Sequence, residues 1–301
     1  MATPGFQDFF IPMLKICSDG KNYTLKEIRT KLGSALNLSE KDFDEKIPSG
    51  TDTKFNNRTT WTKTYLTKAG ALETINRGLF KITQRGKSLL IDYPNGIKIK
   101  DLQLFPEFQE FQKRTNQNTD EIPTEEQYVT PEEQLDNASN KINNSTATEL
   151  LKRILQNSPS FFEKLIIDLM IKMGYGGPQI NAGQALGQTG DGGVDGLINQ
   201  DELGLDVIYL QAKRWENNSV GRPEIQKFAG ALMSKKTKKG VFITTSDFTK
   251  EALEYARSID TKIVLINGHQ LALHMLNHNL GVTNAKTIQI KKIDSDYFEE
   301  E

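Results

Sequence analysis

Two neighbouring stretches, GDGGVDGLIN at residues 190–199 and LDVIYLQAKRW at residues 205–215, decide the fold of this chain. Residues 194–199 and 205–213 are rich in branched apolar side chains, which predicts two adjacent strands. A helical pattern precedes them, and alternating helix and strand patterns follow them as far as residue 285. The alternation predicts an α/β domain in which helices flank a mixed central sheet.

The second of these strands carries the candidate catalytic residues. Side chains alternate along a strand, so Gln211 and Lys213 share a face, whereas Ala212 points away and offers its backbone carbonyl. Asp195 lies beside this pair if the two strands form a hairpin, and Glu163 on the preceding helix completes the group directly or through water. Carboxylate, amide and carbonyl oxygens suit Mg²⁺, which lowers the pKa of a bound water. The lysine would orient that water and stabilise charge developing on a phosphate.

Other interpretations of these residues stay open at the level of sequence. A charged strand end exposed to solvent gives the same short pattern, and Asp191 competes with Asp195 for the metal, although an aspartate flanked by glycines usually supports a turn. Asp206 has the opposite parity to the catalytic pair and is expected to face away. His274 and His278 have a spacing that zinc ligands use, but they lack acidic or cysteine partners nearby, so solvated histidines are expected.

The remainder of the α/β domain follows the same alternation. The predicted elements are helices at 150–173, with a break at Ser158-Pro159, and at 222–233, strands at 241–245 and 263–267, a helix that starts at Asp247 or Thr249 and ends at Arg257, and a last helix at 268–279. Ser246 is either a helix cap or a phosphate contact, and both interpretations stay open.

Residues 1–106 predict a smaller domain of helices and a β-ribbon. Predicted helices cover 6–18, a segment that starts at the capping box Thr24–Glu27, and 55–75; a strand at 79–83, a turn at 84–86 and a short helix at 87–91 follow. This order predicts a winged helix-turn-helix, which places one helix in the major groove and its wing on phosphates. The candidate DNA-binding residues are Asn56, Asn57, Arg58 and Lys63 on the third helix and Lys81 and Arg85 on the wing. A winged helix that binds protein is the alternative.

Charge is unevenly distributed along the 301-residue chain, although the net charge is only −1. Residues 1–106 hold 17 basic and 11 acidic side chains, and residues 150–292 hold 18 and 13. Residues 107–149 hold 3 and 10, and residues 293–301 hold 5 acidic side chains and no basic ones. Two basic domains, an acidic linker at 107–149 and an acidic tail at 293–301 favour a polyanionic partner such as nucleic acid.

Composition excludes several classes of protein. No run of about 18 apolar residues exists, so no membrane span is predicted, and the first residues lack the pattern of a secretory signal. The single cysteine, Cys17, excludes an internal disulfide and a cysteine-rich zinc module, and it favours a cytoplasmic location. No glycine-rich loop ends in Gly-Lys-Ser/Thr, so a need for ATP is not expected.

Longer stretches resemble a known family. The C-terminal domain is similar to the Mrr-type branch of the PD-(D/E)xK nuclease superfamily at residues 162–166, 173–175, 190–196, 211–215, 221–232 and 241–246. The N-terminal domain resembles the winged-helix domain of the same restriction proteins at residues 55–61, 66–70 and 77–86. The resemblance implies a restriction-endonuclease-like core at 150–292 and a type IV restriction endonuclease. Such an enzyme hydrolyses methylated double-stranded DNA with Mg²⁺, for which Mn²⁺ can substitute.

The resemblance also implies roles position by position. Asp195 matches the metal-binding aspartate, Gln211 the first ligand of a QxK motif, Lys213 its lysine and Glu163 the helical acid. The wider superfamily usually has Asp or Glu at the position of Gln211, so a weaker metal affinity is expected here. Cutting both strands needs two active sites, which predicts a homodimer or a higher homo-oligomer.

Two further functions stay open. A structure-specific or repair nuclease would use the same core on branched DNA. A DNA-binding regulator would retain the fold as a relic without catalysis, and the complete set of Asp195, Gln211 and Lys213 argues against this possibility.

Overall fold

The computed structural model describes residues 3–115, 129–176, 183–185, 194–201 and 204–291. The chain divides into two units, residues 1–141 and residues 142–301. The division falls inside a helix, Pro131–Leu155, which occupies much of the segment predicted to be a linker. No helix within the described residues is long and apolar enough to cross a membrane.

The first unit is built from short helices and a small sheet. Its elements are a 3-10 turn at Phe6–Phe9, helices α1 (Phe10–Cys17), α2 (Leu25–Ala35), α3 (Glu40–Asp44), α4 (Lys54–Lys68), α5 (Gln84–Asp92), α6 (Ile99–Leu102) and α7 (Pro106–Thr115), and strands β1 (Tyr23–Thr24), β2 (Leu72–Asn76) and β3 (Leu79–Ile82). The strands are antiparallel in the order β1-β3-β2. Helices α1, α2 and α4 followed by this hairpin have the element order predicted for a winged helix-turn-helix.

Local sequence signals explain where α2 and α4 begin. The capping box predicted at α2 is confirmed, because Thr24 Oγ1 accepts from Glu27 N and Glu27 Oε2 accepts from Thr24 N at 2.8 Å. Thr53 caps α4 in the same way through Asn56 N. Each cap satisfies a backbone N–H that the helix leaves without a partner.

The predicted helix at 55–75 is wrong in its last third. Helix α4 ends at Lys68, and Gly70 follows with a φ of +70°, a left-handed conformation that favours glycine. Residues Leu72–Asn76 instead form β2, because pairing with β3 satisfies their backbone groups. The buried Leu72 fits either a helical or an extended pattern, so periodicity did not separate the two.

The second unit contains the mixed sheet. Helix α8 (Pro131–Leu155) begins in the first unit and ends in the second. The other elements of the second unit are α9 (Pro159–Lys172), β4 (Gly183–Ala185), β5 (Gly196–Asn199), β6 (Val207–Lys213), α10 (Arg222–Ser234), β7 (Lys239–Thr244), α11 (Lys250–Ser258), β8 (Lys262–Ile266) and α12 (Gly268–Asn277). The strand order is β4-β5-β6-β7-β8, antiparallel from β4 to β6 and parallel from β6 to β8. The predicted α/β fold with a mixed sheet flanked by helices is therefore confirmed.

The sheet carries a different core on each face. Leu210 of β6 and Ile243 of β7 pack with the end of α8, with α9 and with α12. Tyr209 of β6 and Phe242 of β7 pack on the other face with α10 and α11. Because side chains alternate along a strand, residue parity on β6 determines which core each side chain faces.

Candidate active site

Asp195 lies directly before β5 and faces the end of β6. Its backbone N–H donates to the Leu210 carbonyl at 2.9 Å, which extends the antiparallel pairing of β5 with β6 by one residue. Its Oδ2 accepts from the Ala212 backbone N–H at 2.8 Å and from the Gln211 side-chain amide. The structure therefore brings Asp195 and Gln211 together, as expected for a hairpin. Asp191, the alternative metal ligand, lies outside the described residues.

The Asp195 carboxylate is held in a partly desolvated position. Burial raises its pKa above the ordinary aspartate value, and the Ala212 hydrogen bond and the charge of Lys213 lower it in part. Gln211, which donates to the carboxylate, is only 4% exposed. A neutral amide at this place donates a hydrogen bond, whereas a second carboxylate would repel the first.

Glu163 faces Asp195 from helix α9. The two carboxylates line one small cavity of about 10 Å³, roughly the space that one water molecule needs. Ala212 also lines this cavity. Burial raises the pKa of Glu163, and the negative charge of Asp195 raises it further. Two carboxylates that disfavour each other's charge make a place where a bound cation would be stabilising.

Lys213 points towards a different element. Leu210 and Ala212 contact the core on the α9 side, whereas the Lys213 ammonium lies 3.9 Å from Glu224 on α10. The sequence predicted that the carboxylates, Gln211 and Lys213 would meet around one metal ion. In the structure, the Lys213 ammonium instead lies beside Glu224. Asp195 interacts electrostatically with both Glu163 and Lys213: its charge raises the pKa of Glu163, and the charge of Lys213 lowers the pKa of Asp195.

The oxygen atoms around Asp195 fit a hard divalent cation. The Leu210 carbonyl accepts from Asp195 N and the Lys213 carbonyl accepts from Thr245 N, so carbonyls alternate along β6 and that of Ala212 points to the Asp195 side. Two carboxylates and a carbonyl are ligands typical of Mg²⁺. Within the described residues no group of three or more His, Cys, Asp or Glu side chains is arranged to hold a metal ion, so protein carboxylates alone supply two ligands here.

Two other side chains discussed from the sequence have partners other than Asp195. Asp206 pairs with Lys239 at 2.8 Å, in agreement with its opposite parity. Ser246 does not cap α11, because Thr249 accepts the hydrogen bond from Ala252 N. The Ser246 hydroxyl lies 3.1 Å from that of Thr244 instead.

The structure contradicts the prediction that Asn57 and Arg58 contact bases. Arg58 is 7% exposed and Asn57 is 3% exposed. The Arg58 guanidinium forms two hydrogen bonds with the Glu133 carboxylate, at 2.7 and 3.3 Å, and donates to the carbonyls of Thr3 and Pro4. These donors are satisfied inside the first unit, so they do not face a DNA groove.

Asn57 is occupied in the same way by the start of α8. Its side-chain carbonyl accepts from the Thr130 hydroxyl, and its amide donates to Glu132. The sequence signal for this contact was Thr130-Pro131-Glu132-Glu133, in which Thr130 Oγ1 accepts from Glu133 N and Glu133 Oε2 accepts from Thr130 N. That reciprocal pattern is a capping box with proline at the first helical position. The motif therefore marked a helix start within the predicted linker.

Asn56, Lys63 and Lys81, three other predicted DNA contacts, are partly exposed. Asn56 is half-buried and donates to Asp52, and the Lys63 ammonium lies 5.4 Å from the Phe80 ring centre. Lys81 on β3 pairs with Glu73 at 3.2 Å.

Arg85 is not on the wing, because β3 ends at Ile82 and Arg85 belongs to α5. Its guanidinium donates to Glu107 at 3.0 and 3.2 Å and to the Ala69 carbonyl at 2.7 Å. Helix α7, which supplies Glu107, also places Phe108 fully inside the first core. The predicted linker boundary at residue 107 is therefore too early.

Comparisons with known proteins agree on one family. A family model described as restriction endonuclease matches residues 154–275, and a model described as Mrr N-terminal domain matches residues 6–92. The type IV methyl-directed restriction enzyme EcoKMrr of Escherichia coli (strain K12) is 33% identical over 99% of this chain and 100% of its own length.

Two solved structures show weaker similarity. The DNA modification-dependent restriction endonuclease AspBHI matches with a TM-score of 0.37 and 20% identity, over 46% of this chain and 36% of its own. MspJI restriction endonuclease in complex with a 27-mer oligonucleotide matches with a TM-score of 0.27 and 20% identity, over 55% of this chain and 36% of its own. Those TM-scores are below the level at which a shared fold follows. The full-length identity and the two family models show that this chain belongs to the Mrr family of restriction endonucleases.

Proposed function

We propose that this chain is a Mg²⁺-dependent endonuclease that cleaves methylated double-stranded DNA. The observation that carries the proposal is the placement of Asp195, which Gln211 and Ala212 hold against a cavity shared with Glu163. Similarity over the full length to a relative named as methyl-directed supports the choice of methylated DNA.

Each residue of the site has a distinct task. Asp195, Glu163 and the Ala212 carbonyl would hold the cation, and Gln211 keeps the Asp195 carboxylate oriented through its amide. When bound, Mg²⁺ supplies a more acidic water and offsets negative charge on the phosphate. Lys213 places a positive charge at the end of β6, where it attracts the scissile phosphate and stabilises the charge that develops on it.

The first unit would select the DNA. Asn56, Lys63 and Lys81 stay as candidate contacts, since each is partly exposed. Lys81 would hold phosphate in exchange for Glu73, its present partner. Arg85 would have to leave Glu107 before it reached DNA, so we assign it to the structure of the domain.

Cleavage of both strands would require two copies of the site. We expect a homodimer or a higher homo-oligomer that works in the cytoplasm and needs no ATP. Mixing unaltered chain with the Lys213→Ala variant would then yield nicked circles, since mixed assemblies cut one strand. Only linear product from such mixtures would contradict shared cutting by two copies.

A plasmid in methylated and unmethylated form tests the function. We expect the purified chain with Mg²⁺ to cut the methylated copy only, and Asp195→Ala and Lys213→Ala to abolish cutting. Lys239→Ala is the matched control, because Lys239 lies on the neighbouring strand and pairs with Asp206, away from Asp195. Cutting of both plasmids would remove the methyl requirement, and cutting by the Lys213→Ala variant would refute the site.

A further inference from the structure

Glu224, in the first turn of α10, is an acidic residue that the proposed catalytic group does not include. Its Oε2 lies 3.9 Å from the Lys213 ammonium, and each side chain is 31% exposed. The separation exceeds the 2.7–3.2 Å of an N–H···O hydrogen bond. Glu224 thus attracts Lys213 without taking up an N–H donor of its ammonium, and no described residue is recorded as accepting a hydrogen bond from that ammonium.

The backbone holds both partners in place. The Lys213 carbonyl accepts from the Thr244 hydroxyl at 2.8 Å and from Thr245 N at 3.2 Å, which ties the end of β6 to β7. Glu224 is followed by Ile225, which is fully buried in the core between α10 and the sheet. Both residues of the ion pair therefore stand on backbone that hydrogen bonds and core packing hold in place.

The chain at the start of α10 is anchored as well. Val220 N donates to the Asp247 carbonyl at 2.7 Å, and the Val220 carbonyl accepts from Thr249 N at 3.0 Å. Pro223 then restricts the first helical turn, in which Glu224 stands. These contacts anchor the backbone that carries Glu224 at the start of α10.

The charges around Lys213 explain what this position achieves. The strand offers neutral Gln211 where the wider superfamily usually has a carboxylate, so β6 itself supplies no counter-charge for the lysine. The charge of Lys213 already acts on Asp195. Without Glu224, the Asp195 carboxylate would still attract the ammonium, and a direct ion pair would occupy the oxygens that a cation needs.

We propose that Glu224 is a positioning residue that holds the Lys213 ammonium on the α10 side of β6, clear of the Asp195 carboxylate. The inference rests on the proposed nuclease function. Glu224 supplies from a helix the negative charge that the strand lacks at Gln211.

The test compares Glu224→Gln with Glu251→Gln. Both variants remove a carboxylate from the first turn of a helix that packs on the same face of the sheet, but only Glu224 contacts Lys213. The measurements are Mn²⁺ binding by electron paramagnetic resonance without DNA, the rate of single-turnover cleavage at saturating DNA, the DNA dissociation constant without metal, and Tm.

We expect Glu224→Gln to weaken Mn²⁺ binding and to slow single-turnover cleavage, each by about tenfold, the usual effect of losing a residue that orients a metal site. Its Tm and DNA dissociation constant should stay those of the unaltered chain. Glu224→Asp, which keeps the charge on a shorter side chain, should recover part of both losses. Glu251→Gln should behave like the unaltered chain throughout.

Several results would overturn the inference. If Glu224→Gln binds Mn²⁺ and cleaves as the unaltered chain does, the inference fails and the proposed function stands. Equal losses in Glu251→Gln, or a loss of Tm that matches the loss of activity, would show a general structural effect and also refute it. If the unaltered chain neither binds Mn²⁺ nor cleaves, the proposed function fails and the inference fails with it.

Discussion

The two units each contain a group of charged and amide side chains that is buried in the first unit and partly buried in the second, and the groups differ in how completely they are satisfied. In the first unit, Arg58 and Glu133 meet with opposite charges and good hydrogen-bond geometry. In the second, Asp195 and Glu163 share a cavity with like charges, and the pKa of each is raised. The Arg58–Glu133 pair, whose charges are neutralised, stabilises the fold. The Asp195–Glu163 pair, whose like charges are not neutralised, is suited to binding a cation.

This contrast gives a way to separate structural from catalytic polar residues. From the sequence, both Arg58 and Lys213 are expected to act on DNA, Arg58 by contacting it and Lys213 by stabilising charge on a phosphate. The structure separates them, because Arg58 uses its donors on Glu133 and on two backbone carbonyls, while the contact recorded for Lys213 among the described residues is a longer one with Glu224. The comparison predicts that removing a charge from the Arg58–Glu133 pair lowers stability, whereas removing a charge from the Asp195–Glu163 pair raises it.

The largest effect is expected from Glu133→Ala, which should lower the free energy of unfolding of the first unit by about 3–5 kcal/mol. It leaves the charge of Arg58 buried without its carboxylate partner. Denaturant unfolding followed by circular dichroism would measure the loss. Glu149→Ala is the control on the same helix, because its ion pair with Arg153 is exposed and should contribute less than about 0.5 kcal/mol.

The double variant Arg58→Met with Glu133→Leu separates the cost of an unpaired charge from loss of packing. Apolar residues of similar size should recover part of the stability that Glu133→Ala loses, because neither leaves a buried charge. The recovery should be incomplete, since Thr130 N and the Thr3 and Pro4 carbonyls lose their side-chain partners. Denaturation of the two variants side by side measures the recovery. A double variant as unstable as Glu133→Ala would show that packing, not the unpaired charge, determines the loss.

An opposite and smaller effect is expected from Asp195→Asn, which should abolish cleavage and raise the free energy of unfolding by about 1 kcal/mol near neutral pH. Folding raises the pKa of Asp195, so its stability contribution is present below the ordinary pKa and lost as pH rises through the raised one. Asparagine does not ionise, so it avoids this loss of stability, and its side-chain oxygen can still accept the hydrogen bond from Ala212 N. Urea unfolding at pH 5 and pH 8 would measure the difference, with Asp206→Asn as control.

The gain from Asp195→Asn should shrink at pH 5, because the native carboxyl is then closer to its neutral form. A variant less stable than the unaltered chain at pH 8 would contradict the comparison. It would show that Asp195 contributes to folding in the way that Glu133 does.

The smallest expected effect is a shift in the pH at which the cleavage rate falls on acidification. Asp195 and Glu163 both have raised pKa values, and their ionised forms would hold the cation. At a Mg²⁺ concentration below saturation, where protons compete with the cation, the single-turnover rate should therefore fall on acidification at a pH above the ordinary carboxyl range of about 4. Glu163→Gln, if it retains measurable activity, should move this fall to lower pH, since it removes one of the two mutually repelling charges. An unchanged profile in that variant would show that the two carboxylates do not interact.

Much of the fold was predictable because local signals and tertiary structure agree. The break at Ser158-Pro159 became the junction of α8 and α9, and Ser158 caps α9 through Phe161 N. Strands β5 to β8 lie close to their predicted positions because continuous apolar runs favour buried strands. Residues 72–76 were less predictable, since a strand pairing overrode a pattern that fits a helix.

The candidate site divides in the same way. The parity of Gln211, Ala212 and Lys213 along β6 was readable from the sequence, and so was the proximity of Asp195 in a hairpin. Glu224 was not, because it lies 11 residues beyond Lys213 and meets it only through the packing of α10. Glu133 and Arg58 are 75 residues apart, and nothing in either segment indicates the other.

The sequence by itself determined the α/β architecture, the residues of the QxK strand and the family, because strand alternation and short motifs act through neighbours along the chain. Only the tertiary structure decided which polar residues were already satisfied. It buried Asn57 and Arg58 against the start of α8, placed Glu163 beside Asp195, and turned Lys213 towards Glu224. The physical reason is that desolvation and ion pairing depend on distances between segments, which the order of residues does not specify.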